Sequence, residues 1–284
     1  MRSTSSLIKD YGRAIIFCFL LPGLPSCATL TWQKPSTPFK EGYKWGLKDN
    51  RGAVVVPAKY DLEPQFSEGL GRVRLNKKWG LINHAGEAIT PPIYNKIDPQ
   101  SEGLIGACLG TWPNSQCGYL DQTGQTIIPF AYTSVDFFRK EQDGMAKVEK
   151  NKKHGAIRRD GSEAIPIIYD KSLIIEDGYA LVTINGRSGI LRTSGKEVLK
   201  PIYDAIAYDT WGGKLVNKGI FTVASGGKWG FVNTRGDVVA DFKYDKRAFF
   251  GRHYAIVSRD GERFRLNRNG EEEPLDLSTL PIPY

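Results

Sequence analysis

The sequence has little with which to do catalysis or to hold a cofactor. Its three histidines, His84, His154 and His253, have no histidine or acidic partner two or four residues away that would form a metal-ligating pair. No serine sits in a G-x-S-x-G elbow. No glycine-rich phosphate or dinucleotide loop follows a strand-like segment. Carboxylates recur at turn positions, Asp61, Glu63 and Glu68 among them, where turn and surface chemistry accounts for them better than a glycosidase acid pair does. No catalytic, cofactor or metal residue is expected, and the chain reads as a non-enzyme. Long apolar runs are missing too: after residue 30 nothing approaches the ~20 residues of a membrane helix. Cysteine is scarce, four in 284 residues.

The N-terminus carries a targeting pattern. Arg2, Lys9 and Arg13 form a basic region, Ala14–Leu21 an apolar stretch too short to span a bilayer, and Pro22-Gly23 and Pro25 end it. Leu24-Pro25-Ser26-Cys27 resembles the lipobox of bacterial lipoproteins, in which the cysteine is lipidated and becomes the mature N-terminus; Pro25 departs from the usual small or aliphatic residue. Ordinary cleavage after Ala28 is the alternative. The resemblance implies an outer-membrane lipoprotein, the alternative a periplasmic or secreted protein. Residues 1–27 are thus expected to be a signal peptide and 28–40 a linker.

The leader's three basic residues and one acidic residue leave 36 Lys+Arg against 30 Asp+Glu, a net +6. Such a surface suits anionic partners, but export makes nucleic acid an unsuitable one. With Cys18 in the leader and Cys27 the lipid site, only Cys108 and Cys117 remain. In an oxidising compartment they are expected to pair, clamping the base of an irregular loop, Gly110-Thr111-Trp112-Pro113-Asn114-Ser115, with Trp112 held outward as a possible binding residue.

What the chain has in abundance is repetition, with turn formers and aromatics to match: 31 Gly, 16 Pro and 13 Tyr. Six segments align on an anchor glycine: Trp45-Gly46, Trp79-Gly80, Cys117-Gly118, His154-Gly155, Ser188-Gly189 and Trp229-Gly230. The anchors are 34, 38, 37, 34 and 41 residues apart. A second glycine follows seven residues after the Trp position in all six. A tyrosine follows after fifteen: Tyr60, Tyr94, Tyr132, Tyr169, Tyr203 and Tyr244. Pro57, Pro91, Pro129 and Pro166 stand at twelve, Pro201 one place later. A degenerate seventh copy, Arg263-Phe264-Arg265-Leu266 with Asn269-Gly270, has Arg265 in place of the anchor glycine, as an atypical terminal unit of a stacked array allows.

Alternation in Arg72-Val73-Arg74-Leu75 and Ala180–Ile184 predicts a half-buried strand before each anchor. Polar pairs such as Asn76-Lys77 and Asn185-Gly186 predict a tight hairpin. The anchor opens a second strand, its glycine permitting close approach by another backbone or a neighbour's Trp. A third strand such as Glu87-Ala88-Ile89 is expected to end at the proline, with the Tyr packing on the core and tying its hydroxyl to backbone. The basic residue before the Trp position (Lys44, Lys78, Lys153, Arg187, Lys228) is expected to lay its stem across the aromatic face with its charge in water, a cationic ladder for an acidic polymer being the alternative.

These features resemble the WG, or KWG, repeat family: Lys-Trp-Gly, an aliphatic pair, Asp or Asn, Gly, a Pro and Tyr-Asp. The resemblance covers residues 41 to about 270, with Cys117, His154 and Ser188 departing from the Trp. It implies an array of β-hairpin units, often exported, with no shared catalytic activity. The expected architecture is all-β: six or seven hairpin or three-stranded meander units over residues 41–270 in an open twisted solenoid, with a closed propeller as the alternative. Residues 271–284 are a cap or tail. The expected function is a non-enzymatic scaffold at the cell envelope that binds a protein or cell-wall glycan and touches the membrane only through its lipid. An envelope hydrolase or a secreted effector is the alternative.

Overall fold

The computed structural model describes residues 36–209 and 214–275. The leader with Cys27, residues 28–35 and residues 276–284 lie outside them. Period-two alternation yields antiparallel strands throughout, and among the described residues the only helical turn is the 3-10 turn Lys140–Gln142. The strands form seven small sheets, each built from consecutive stretches of chain. The second is representative: Gln65–Ser67, Leu70–Leu75, Lys78–Asn83 and Ala88–Tyr94 pair in that order. Five sheets have four strands, and the first and last have three. The three-stranded unit expected from sequence therefore gains a short outer strand. Lys96–Ile97, Ser134–Val135 and Ala205–Ile206 are two residues each, too short to display a period of two.

Three expectations need correction. The first strand, Thr37–Glu41, begins inside the stretch read as linker. The third strand does not end at the proline: Ala88–Tyr94 runs through Pro91 and Pro92 to the tyrosine. Proline is tolerated there because this is the last strand of the sheet, where its missing N–H faces no ladder partner. In the seventh unit Arg259 pairs with Glu262 and Ser258 with Arg263, as Ser225 pairs with Lys228 and Ala224 with Trp229 in the sixth. Arg263 thus takes the Trp place and Phe264, not Arg265, that of the anchor glycine.

The core lies between sheets. Leu47, Val56 and Tyr60 of the first sheet pack on Val73 and Ile82 of the second. Leu81 and Tyr94 meet Ile97, Ile105 and Leu120 of the third. The pattern continues to the last pair, where Phe231 and Tyr244 meet Ala255, Val257 and Leu266. Each buried Leu, Val or Ile contributes roughly 1.5–3 kcal/mol that a lone sheet would forgo, so units that are marginal singly hold as a stack. Seven sheets share six such cores among the described residues. A ring would need a seventh, and the array is accordingly an open, solenoid-like stack without closure into a barrel or propeller.

Candidate functional site

The fifteen-residue spacing is a cross-strand register. Trp45 stands opposite Tyr60, Trp79 opposite Tyr94, Cys117 opposite Tyr132, His154 opposite Tyr169, Ser188 opposite Tyr203 and Trp229 opposite Tyr244. Between each pair and the next matched residues the third strand bulges toward the anchor glycine. A Cβ on Gly118 would lie 2.5 Å from the Ile128 carbonyl, and one on Gly189 would lie 2.7 Å from that of Leu199. The glycine therefore makes room for the backbone of its own unit's third strand. Where Phe264 replaces it in the seventh unit, the register shows no bulge. The tyrosine rings are buried or half-buried as expected. The Tyr244 hydroxyl donates to a carboxylate, Glu272 Oε1 at 2.5 Å, rather than to backbone.

The charged end of the basic residue before the Trp place meets an aspartate in four of the five units that have one. Lys44 Nζ donates to Asp61 Oδ1 at 2.7 Å, Lys153 to Asp170 at 2.5 Å and Lys228 to Asp245 at 2.7 Å; Arg187 pairs with Asp204. The cations over the tryptophans come from the preceding strand: Lys40 over Trp45 at 5.7 Å, and Arg72 and Arg74 over Trp79 at 5.9 and 5.7 Å. The other aspartate oxygen reaches into the next unit. Asp61 Oδ2 accepts the Lys77 N–H (3.0 Å), Asp170 Oδ2 that of Asn185 (2.6 Å) and Asp204 Oδ2 that of Gly227 (3.2 Å). These hydrogen bonds hold the Asp61 and Asp170 carboxyls below their ordinary range, the lysine contribution being largest.

Each aspartate thus links the lysine or arginine of its own unit to the next unit's hairpin turn, and the turns line up along one edge. In order they are Gly42-Tyr43, Asn76-Lys77, the Gly110–Ser115 loop, Asn151-Lys152, Asn185-Gly186, Gly226-Gly227 and Asp260-Gly261. Cys108 and Cys117 face each other at the base of the enlarged loop and are disulfide-bonded. Cys117 takes the Trp place of this unit, and both cysteines lie in the core shared with the fourth sheet. Trp112, at the loop's tip, is 72% exposed, and Tyr43, two turns away, is 93% exposed. The edge, with these side chains projecting from it, is the candidate site.

The histidines do not converge. His84 stacks on Phe66 at 4.6 Å, His154 faces Glu149 and Tyr169, and His253 precedes the last sheet. No group of three metal-ligating side chains occurs among the described residues. Sequence reasoning missed a second series of turns at the opposite edge: Glu68-Gly69, Glu102-Gly103, Asp143-Gly144, Asp177-Gly178 and Lys218-Gly219, all at positive φ. An acidic or basic residue, Gly and an apolar residue, ten positions before the Trp place, was the available signal. The enlarged loop moves it to fourteen in the third unit and hides the period.

The WG containing repeat family matches residues 45–79, 79–110, 118–153, 155–187 and 229–262, more than half of the chain. The chain belongs to the WG-repeat family. Each match runs from about the Trp place of one unit toward that of the next, so a family repeat takes two strands from one sheet and the opening strands of its neighbour. The chain is also similar to solved structures. Kluyveromyces lactis Hsv2 shares 15% identity over 70% of this chain and 68% of that one, with a TM-score of 0.34. The AfRom2 CNH domain shares 12% over 86% and 94%, with a TM-score of 0.32. Likenesses this shallow carry no functional inference. No curated protein matches the sequence.

Proposed function

We propose that this WG-repeat chain is a non-enzymatic, exported scaffold, tethered at the cell envelope by a lipid on Cys27, that offers its hairpin edge to a protein or cell-wall glycan. The observation that carries the reading is how the repeated polar residues are employed. Lys44, Lys153, Arg187 and Lys228 are engaged by aspartates, and Asp61, Asp170 and Asp204 also bind the next unit's turn. Side chains committed to joining units are not available for acid–base work. The tips of the turns differ from unit to unit, as a recognition surface requires. The envelope address rests on the leader and on Leu24-Pro25-Ser26-Cys27. Nucleic acid is not a partner in this reading, and the membrane is met through the lipid alone.

Intact-mass spectrometry of the native protein from membrane and soluble fractions tests the tether. A mature chain starting at lipid-modified Cys27, released to the soluble fraction by Cys27→Ser, is the expected result. An unmodified N-terminus at Thr29 would remove the anchor and leave a secreted scaffold.

A further inference from the structure

Ten pairs of consecutive residues at positive φ occur among the described residues, and eight of them have glycine in the second place. The exceptions are Asn76-Lys77 (φ 50°, 65°) and Asn151-Lys152 (φ 53°, 61°). Turns of this kind favour glycine there because a side chain in the left-handed region is strained. At the same edge, units five to seven place Gly186, Gly227 and Gly261 in the second position. Lysine thus stands twice where the chain itself shows that glycine serves. Backbone strain at such a place points to a role for the side chain.

The two lysines have a particular place. They stand at the tips of the second and fourth units, on either side of the third unit's Trp112 loop. At the ~10 Å spacing of stacked sheets, Lys77 and Lys152 are on the order of 20 Å apart with Trp112 between them. All three side chains are exposed. The carboxylates of the repeat also change here. Lys78, next to Lys77, donates to the amide oxygen of Asn95 (2.8 Å) where other units have aspartate. The third unit has Gln116 and Thr133 in place of the Lys–Asp pair. The nearby acids are engaged: Asp61 with Lys44 and the Lys77 N–H, Asp170 with Lys153, and Glu149 with the Thr133 hydroxyl at 3.4 Å. Among the described residues no carboxylate pairs with the ammonium of Lys77, Lys78 or Lys152.

We infer that Trp112, Lys77 and Lys152 form a binding site for an acidic polysaccharide, a reading that rests on the scaffold proposed above. A flat indole face receives the C–H side of a sugar ring, and ammonium groups on both sides meet carboxylate or phosphate groups along the same chain. The three groups stand in a row along the edge, which suits a polymer. Thr111 and Asn114 of the same loop carry side chains able to hydrogen-bond hydroxyls. A membrane surface is the poorer match, because Trp112 is the one large apolar side chain of a loop otherwise made of Gly110, Thr111, Pro113, Asn114 and Ser115.

The test is calorimetric titration of the mature exported chain, its Trp112→Ala variant and its Lys77→Gly/Lys152→Gly double variant with polygalacturonate, a phosphate-bearing teichoic acid and neutral dextran. Vesicles of phosphatidylglycerol and phosphatidylcholine in equal parts form a parallel series. The expected result is binding to an acidic polymer and not to dextran, weakened by salt. Each variant should bind roughly tenfold or more weakly, equivalent to about 1.4 kcal/mol. The glycine variant should meanwhile melt no lower than the parent, because glycine relieves the turn; a purely structural role for the lysines would lower binding and stability together. Absence of binding to both acidic polymers, affinity unchanged in both variants, or binding to vesicles alone would each overturn the assignment. None of these outcomes touches the lipid tether of the proposed scaffold, which the mass of the mature N-terminus decides separately.

Discussion

Gly80 faces the third strand of its unit so closely that a Cβ on it would lie 2.9 Å from the nitrogen of Pro92 and 2.9 Å from the carbonyl of Thr90. Both neighbours are backbone, so neither can rotate away. Gly80→Ala should destabilise the array by about 1–3 kcal/mol, the usual cost of overpacking, seen as a lower urea midpoint. An unchanged midpoint would mean that the bulge is not the reason for the glycine.

The aspartates give the stack a dependence on acid. Asp61, Asp170 and Asp245 have folded-state pKa values held below the ordinary one, chiefly by Lys44, Lys153 and Lys228. A depressed carboxylate contributes stability that is full above the unfolded value, about pH 4, and is lost as pH falls through the folded value. The urea midpoint should therefore drop as pH is lowered from 4 toward 2. In Asp170→Asn, which keeps an acceptor for the Asn185 N–H, the acid-sensitive part should shrink. Asp170→Ala should lower the midpoint further at neutral pH, having lost both partners.

Removing the disulfide by Cys108→Ala/Cys117→Ala should cost about 2–3 kcal/mol by the entropic estimate for so short a loop. Differential scanning calorimetry under oxidising conditions measures it. The parent with reducing agent should fall to a similar melting temperature.

Glu272 joins the last two sheets: it accepts hydrogen bonds from the Tyr244 hydroxyl (2.5 Å) and Arg259 (2.9 Å) and pairs with Lys243 (2.7 Å). Glu272→Ala should accelerate amide hydrogen exchange across residues 254–275 and leave the first five sheets protected, because units in a stack couple mainly to their neighbours. Uniform loss of protection would show tighter coupling than the open array allows.

Much of this was legible in the sequence because repetition turns register into spacing. The interval from Trp229 to Tyr244 is a cross-strand pair, and the second glycine of each unit, Gly86 among them, has the positive φ its turn requires. Two-residue strands such as Lys96–Ile97 were not legible, since their pairing is fixed by the neighbouring strand and not by any pattern of their own. Proline at Pro91 suggested a strand end because its lack of an N–H is visible in sequence, whereas the edge position that excuses it is not. The two-sided engagement of Asp61 was hidden for a similar reason: Lys44 and Lys77 lie in different units, and only stacking brings them to one carboxylate. The Trp112 loop was conspicuous as an irregularity, but its bracketing by Lys77 and Lys152 appears only once the turns are aligned along an edge.

The six interfaces in single file among the described residues also decide how the array carries load. Pulled from its two ends, the array is a set of links in series, so every interface bears the full force and the weakest yields first. The Cys108–Cys117 bond joins neighbouring strands within the third sheet and spans no interface. It can hold that hairpin shut while leaving the rupture force of the stack unchanged.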